Sequence, residues 1–375
     1  MARRSQNYVG RVNLPSGLND RGFHLTLSLP TVGRQLLTGL LWLCLLSGCA
    51  EPDTGPDQLT EYLERLERVT GVSIPPHTPF PSALDLPRVT VPTPPESNQI
   101  DLIDFLLLSG CELQVNLGRR NTQLGRTASP SQRLLLDLEF IQLVPACSAL
   151  LRERGNPELA TTLELASKGH QQILPISIAN AILLGPEWEA FWERPKALAL
   201  YPANTSSQII ATLSQLTALS SIWLATRSLA DDWAAGNRKF ELLLSELRAG
   251  DGGALVMAYS IVARDISRAT AMLISMNETA PLCPFGQETE RSKAFDNIVS
   301  RFFVGDIQPW LVALRQRKEL LLAPVNQLER PLRDAMPEQY AQWTDERDQL
   351  LNRHTALIKK HISAIQIALS GCARS

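Results

Sequence analysis

Seven consecutive residues, Glu187-Trp188-Glu189-Ala190-Phe191-Trp192-Glu193, hold the side chains best suited to catalysis in this chain. On a helix Trp188 and Trp192 share one face, as do Glu189 and Glu193, because positions four apart are neighbours. Aromatic platforms beside carboxylates bind sugar rings, and one carboxyl can protonate a glycosidic oxygen. The same letters also describe a helix end with an aromatic inner face and an acidic outer one, closed by Pro195. That structural reading is the default; a glycan site at Trp188, Glu189, Trp192 and Glu193 is the alternative.

A second polar cluster, Arg119-Arg120-Asn121-Thr122-Gln123-Leu124-Gly125-Arg126, joins two apolar stretches and runs into Ser129-Pro130. Arg119, Arg120, Asn121 and Arg126 could clamp a carboxylate or phosphate, aided by free amides at the following helix start. Equally, they could cap the preceding helix and pair with nearby acids. Histidines 77, 170, 354 and 361 read as core or edge residues. The last two are seven positions apart, about 10 Å along a helix, too far to share a metal directly. G-x-S-x-G, H-E-x-x-H and a nucleotide loop with its Lys-Ser/Thr are all missing, so Gly250, Gly252 and Gly253 read as a helix connector. No catalytic residue, metal ligand or cofactor is assigned.

The cysteines say more. Leu46-Ser47-Gly48-Cys49 follows an apolar run from Leu36 to Leu46 and looks like the lipobox of a bacterial lipoprotein. The run is shorter than the ~20 residues of a spanning helix. The resemblance implies cleavage after Gly48 and a thioether lipid on Cys49, with a diacylglyceryl group and an N-acyl chain such as palmitate. Ala50 follows Cys49, which by resemblance to the sorting pattern sends the protein to the outer membrane, facing the periplasm. Residues 1–31 carry four arginines against one acid and fit a translation start placed too far upstream, with Val32 as the first codon. Beyond Cys49 stand Cys111, Cys147, Cys283 and Cys372, an even set in an oxidising compartment. Three pairings are open; the sequential one, Cys111 with Cys147 and Cys283 with Cys372, is expected.

The elements that must position these residues are helical. The chain has 375 residues, 44% hydrophobic and 20% charged, with a formal net charge of −2. That balance is globular and argues against a nucleic-acid partner. No second apolar run long enough to cross a bilayer is expected after residue 48. Residues 49–58 read as a tether, and 59–375 as one helical domain. Its first helix carries the stripe Leu59, Tyr62, Leu63, Leu66 and Val69 and ends at Gly71. Residues 73–96 hold eight prolines, which excludes regular helix and favours an extended path, with Ile74, Phe80, Leu84, Leu86 and Val89 packing. Further helices are expected from Ser97, over 132–154 with a kink at Pro145, from Asn156, over 204–229, over 254–276, and over 337–369. Asp251 reads as a cap, and Pro309, Pro324 and Pro331 as interruptions. The fold class is all-α: an irregular antiparallel helical array with kinked helices and a proline-rich extended N-terminal segment.

The lipobox, the proline-rich entry, Cys111-Glu112-Leu113-Gln114, Arg120-Asn121 through Gly125-Arg126, and Phe303-Val304-Gly305-Asp306-Ile307-Gln308-Pro309-Trp310-Leu311 together resemble an uncharacterised family of predicted proteobacterial lipoproteins. That family is known as a domain of unknown function, so the resemblance implies no activity, cofactor or catalytic residue. Two function classes follow. The first is a lipid-anchored periplasmic scaffold, adaptor or assembly factor that binds an envelope protein or another anionic envelope component. The second is an envelope enzyme acting on peptidoglycan or lipid.

Overall fold

The longer helices among the described residues bury apolar side chains that recur in their sequences. A computed structural model describes residues 54–76, 84–89, 102–225 and 233–372. Cys49, the leader, residues 49–53 of the tether, Phe80, the Ser97 cap and positions 226–229 lie outside the described residues. So does His77. The described residues fall within one compact unit, Asp53–Ser375. Among them secondary structure is helical, with no strand.

The first helix, α1 (Gly55–Thr70), buries Leu59, Tyr62, Leu63 and Leu66 on one side. It begins inside the stretch expected as tether. Thr54 N–H donates to Asp57 Oδ2 at 3.1 Å, which stops the fraying of a free start. Gly55 is itself buried, and a Cβ there would lie 2.0 Å from the ring of Trp310. Of the residues expected to pack from the proline-rich segment, Ile74, Leu84 and Leu86 lie against the main core, and Val89, also described, does not join it. Arg268 Nε donates to Pro75 O at 2.8 Å and Trp343 Nε1 to Leu84 O at 3.3 Å, so these segments are held by side chains from elsewhere in the fold.

A short helix α2 (Leu102–Leu107) leads into α3 (Glu112–Asn121), the single turn α4 (Gln123–Arg126) and then a long hairpin. Its arms are α5 (Pro130–Glu153) and α6 (Pro157–Ile182). Ser129 caps α5 by accepting from Gln132 N–H at 3.3 Å, with Pro130 in the first turn. The pairs Asp137–His170, Ser148–Ala160 and Arg152–Glu164 show the two arms running antiparallel. Both stay helical through a proline, Pro145 in α5 and Pro175 in α6. By length and composition α5 is apolar enough to cross a membrane, contrary to the sequence reading. Its apolar residues instead fill two cores. Leu134 and Leu138 join the main one, while Phe140, Val144 and Leu151 form a smaller one with α3 and the first half of α6.

The second half builds the main core. A seven-residue helix α7 (Pro186–Trp192) precedes α8 (Gln208–Leu224), α9 (Trp233–Leu247) and α10 (Gly252–Thr279). The glycines before and within α10 are there for close approach. A Cβ on Gly250 would fall 1.9 Å from the Phe191 ring, and one on Gly253 2.0 Å from Glu193 O. Asp251 precedes α10 without capping it; its carboxylate receives Arg317 at 2.8 and 2.5 Å and the Tyr201 hydroxyl at 3.0 Å.

From α11 (Glu290–Ile298) the chain widens into a π-helical stretch, Val299–Ile307, and then α12 (Gln308–Glu329). This composite rod lies antiparallel on α1: Gly55 meets Trp310, Tyr62 meets Phe303, and Val69 meets Arg291. Pro309 stands just past the π stretch and Pro331 lies in a 3-10 segment, Arg330–Ala335, so both mark interruptions, while Pro324 stays inside α12. The final helix is α13 (Glu338–Ser370).

Within this array one central pair runs parallel. Contacts between Tyr259 and His354, then Thr270 and His361, then Cys283 and Cys372 advance together along α10 and α13. The intervening crossover is long enough to permit it. The two disulfides are Cys111–Cys147, in the smaller core, and Cys283–Cys372, at the end of the parallel pair. They close separations of 36 and 89 residues. Chain entropy assigns such loops roughly 4 and 4.5 kcal/mol.

Candidate binding pocket

Where α12 ends and α13 begins, the chain doubles back through the 3-10 segment and encloses a cavity of about 190 Å³. Arg347 forms part of its lining. This arginine sits on the inner stripe of α13, four residues beyond Trp343 and seven beyond Tyr340, and is fully buried. Its guanidinium lies 4.9 Å from the ring centre of Trp192 and 5.0 Å from that of Trp343, where ring faces attract a cation.

The fork is bidentate. Nη1 and Nη2 donate to the two carboxylate oxygens of Glu329, each at 2.9 Å. Nε donates to Asp348 Oδ1 at 2.9 Å, and Nη2 also reaches Asn326 Oδ1 at 3.4 Å. Tyr340 donates its hydroxyl to Glu329 Oε1 at 2.9 Å and accepts from Trp188 Nε1 at 2.8 Å. Burial, reinforced by the charge of Glu329, holds the Tyr340 phenol well above its usual range, so it stays a donor. Burial alone would lower Arg347, but Glu329 overrides it and the net shift is upward. Glu329 thus accepts three hydrogen bonds, two on Oε1 and one on Oε2, and its charge is paired with that of Arg347. The arrangement presents a fixed polar surface to the cavity.

An ion pair this deep gives little net stability, because desolvation consumes most of the attraction. Its benefit is a rigid polar surface against the cavity. Local spacing links Trp188 with Trp192 and Tyr340 with Arg347, but nothing in it joins these pairs to each other or to Glu329. One signal was there: a lone arginine on an otherwise apolar helical stripe, between Trp343 and Leu351.

The sequence-predicted sites fare differently. Trp188 and Trp192 are buried, Trp188 stacked on Phe191 and Trp192 edge-on to Trp343, while Glu189 and Glu193 are exposed. The glycan reading needs rings and carboxylates on one open surface, and burial of the rings removes it. Trp188 serves the Tyr340 hydroxyl instead.

The arginine cluster is partly spent. Arg119 pairs with Glu139, and Arg120 donates to Asp137 Oδ1 at 2.5 Å. Asp137 also faces the buried His170 at 3.4 Å. Burial, with Arg120 adding to it, lowers the His170 pKa. Asn121 closes α3, and Arg126 accepts from Arg133 through its carbonyl at 3.0 Å. The four residues do not converge on one concave site; two of them brace α3 against α5.

A second hollow, about 660 Å³ and wide open, is lined by Arg65, Arg68, Thr70 and Arg291. Arg291 is committed there to the carbonyls of Val69, Thr70 and Ala280, closing the C-terminus of α1. Arg65 pairs with Glu61 and lies over Phe302. Among the described residues no three His, Cys, Asp or Glu side chains gather as a metal site.

No curated protein and no solved structure matches this chain. One family does match, over residues 59–375, which is every helix described above except the first turn of α1. The chain thus belongs to the family described as "Protein of unknown function (DUF3080)".

Proposed function

We propose that this is a lipid-anchored lipoprotein of the proteobacterial type, held at the outer membrane through Cys49 and facing the periplasm, where it binds other envelope components as a scaffold, adaptor or assembly factor. The observation that carries the reading is the pair of disulfides: all four cysteines beyond the lipobox-like segment are joined. Such bridges persist in oxidising compartments, which agrees with export. A binding role is supported by the pocket chemistry, since its one buried carboxylate is paired with Arg347 while Arg330 in the same lining has no carboxylate partner. The test is fractionation of cells making Cys49→Ala, with crosslinking of wild type in parallel. Loss of outer-membrane sedimentation in the variant supports the anchor, and unchanged sedimentation overturns it. Recovery of a defined crosslinked envelope component supports the binder.

A further inference from the structure

The pocket between α12, the 3-10 segment and α13 has donors and acceptors left over. Arg330 lines it and has no acidic partner among the described residues. Arg333 uses only Nη2, on Asp345. Asp348 gives Oδ1 to Arg347 and keeps Oδ2. Of the lining guanidiniums, Arg347 is held by Glu329 and Asp348 and Arg333 by Asp345, which leaves Arg330 without a carboxylate partner. One uncommitted guanidinium and one free acceptor oxygen therefore belong to the same lining.

We propose that this pocket binds a small ligand carrying a free α-carboxylate next to an N–H, either an amino acid or the C-terminal end of a short peptide. Arg330 is the carboxylate anchor, and Asp348 Oδ2 accepts from the ligand's N–H. The inference rests on the reading of this chain as a binder and is independent of its anchoring. Size agrees: a cavity of about 190 Å³ is smaller than pockets for drug-sized ligands and excludes a docked helix. Charge agrees as well. A dianion would face Glu329 and Asp348 together, and a simple cation would face Arg330 and Arg333. Guanidinium donors match a carboxylate in plane, two bonds at a time. The floor is already rigid, because Arg347 is held by Glu329, Asp348 and two indole rings, so little ordering is left to the ligand.

Calorimetric titration of the purified full-length protein tests this with four probes: alanine, N-acetyl-alanyl-alanine, alaninamide and inorganic phosphate. Saturable binding of either carboxylate probe, with none of alaninamide, is the expected result. Whichever carboxylate binds tighter tells the free amino acid from the peptide end. Arg330→Gln should weaken that probe about tenfold or more, as loss of a charged hydrogen-bonded contact does, with an unchanged ligand-free melting temperature. Asp348→Asn should weaken alanine more than the acetylated peptide. Absence of binding by both carboxylates, equal binding of alaninamide, binding of phosphate alone, or wild-type affinity in Arg330→Gln each overturns the proposal. If it falls while cells still yield a crosslinked envelope component, the binding role stands and its surface lies elsewhere.

Discussion

The hydroxyl of Tyr62 donates to Nε2 of His361 at 3.0 Å, in the interior between α1 and α13. The direction follows from the other side of the ring. Thr270 donates its only hydroxyl proton to Ile266 O at 2.7 Å, so it must accept from His361 Nδ1 at 3.1 Å. The imidazole is thereby fixed as the neutral Nδ1–H form. Three helices are joined through one ring.

Tyr62→Phe removes that donor and leaves Nε2 a buried acceptor with no partner. A loss of about 1–3 kcal/mol is expected, since the desolvation of His361 is no longer offset. Urea unfolding of the variant checks it. An unchanged midpoint would mean that water reaches the ring.

Acid should destabilise the fold through its buried histidines, His170, His354 and His361, the last two most strongly. Burial pushes His361 down to about 4, and burial with Lys318 and Arg315 nearby takes His354 to the same value. A folded-state pKa below the unfolded one means the unfolded chain takes up protons first. Stability is therefore full above about pH 6.5 and falls as pH drops toward 4. His354 and His361 each contribute at most roughly 3 kcal/mol to that fall. Urea midpoints measured from pH 7.5 to 4 should decline across this window, and less steeply in His354→Gln.

Gly253→Ala should cost about 1–3 kcal/mol, because the new methyl meets the backbone oxygen of Glu193, which cannot swing aside as a flexible side chain would. Gly169→Ala in α6, with open space at its Cβ position, serves as the control and should be neutral or stabilising. Thermal melts of the two variants separate these outcomes.

Arg120 and Arg126 should behave differently although both belong to the same cluster. Arg120→Gln strands the buried carboxylate of Asp137 beside His170 and is expected to lower stability by about 1–3 kcal/mol. Arg126→Gln leaves stability within about 0.5 kcal/mol, as surface changes do. Equal losses in the two denaturation curves would contradict this division.

Alkylation of the denatured, unreduced protein should leave Cys111, Cys147, Cys283 and Cys372 unlabelled, read by peptide mass. Removing the second bridge as Cys283→Ala with Cys372→Ala should cost up to roughly 4.5 kcal/mol.

Much of the fold was legible because helix stripes are local. Leu59, Tyr62, Leu63 and Leu66 recur at helical spacing and are all buried, and Ser129-Pro130 opens α5 as its letters say. The sequential cysteine pairs also join as expected. What escaped was tertiary. The parallel run of α10 with α13 depends on a crossover of about sixty residues, and no periodicity reports which helices meet across it. Gly250 and Gly253 looked like a connector because close approach by Phe191 and Glu193 leaves no trace in neighbouring letters. The pocket escaped for the same reason: Trp188 and Tyr340 share a hydrogen bond across 152 positions.

The Cys283–Cys372 bridge has one more effect. It turns α11, α12, the 3-10 segment and α13 into a covalent ring that contains every residue lining the Arg347 cavity. A single protease cut at any peptide bond inside that ring releases nothing. The nicked chain runs as one piece on a denaturing gel until a thiol reductant is added, so damage in this half of the molecule is retained rather than shed.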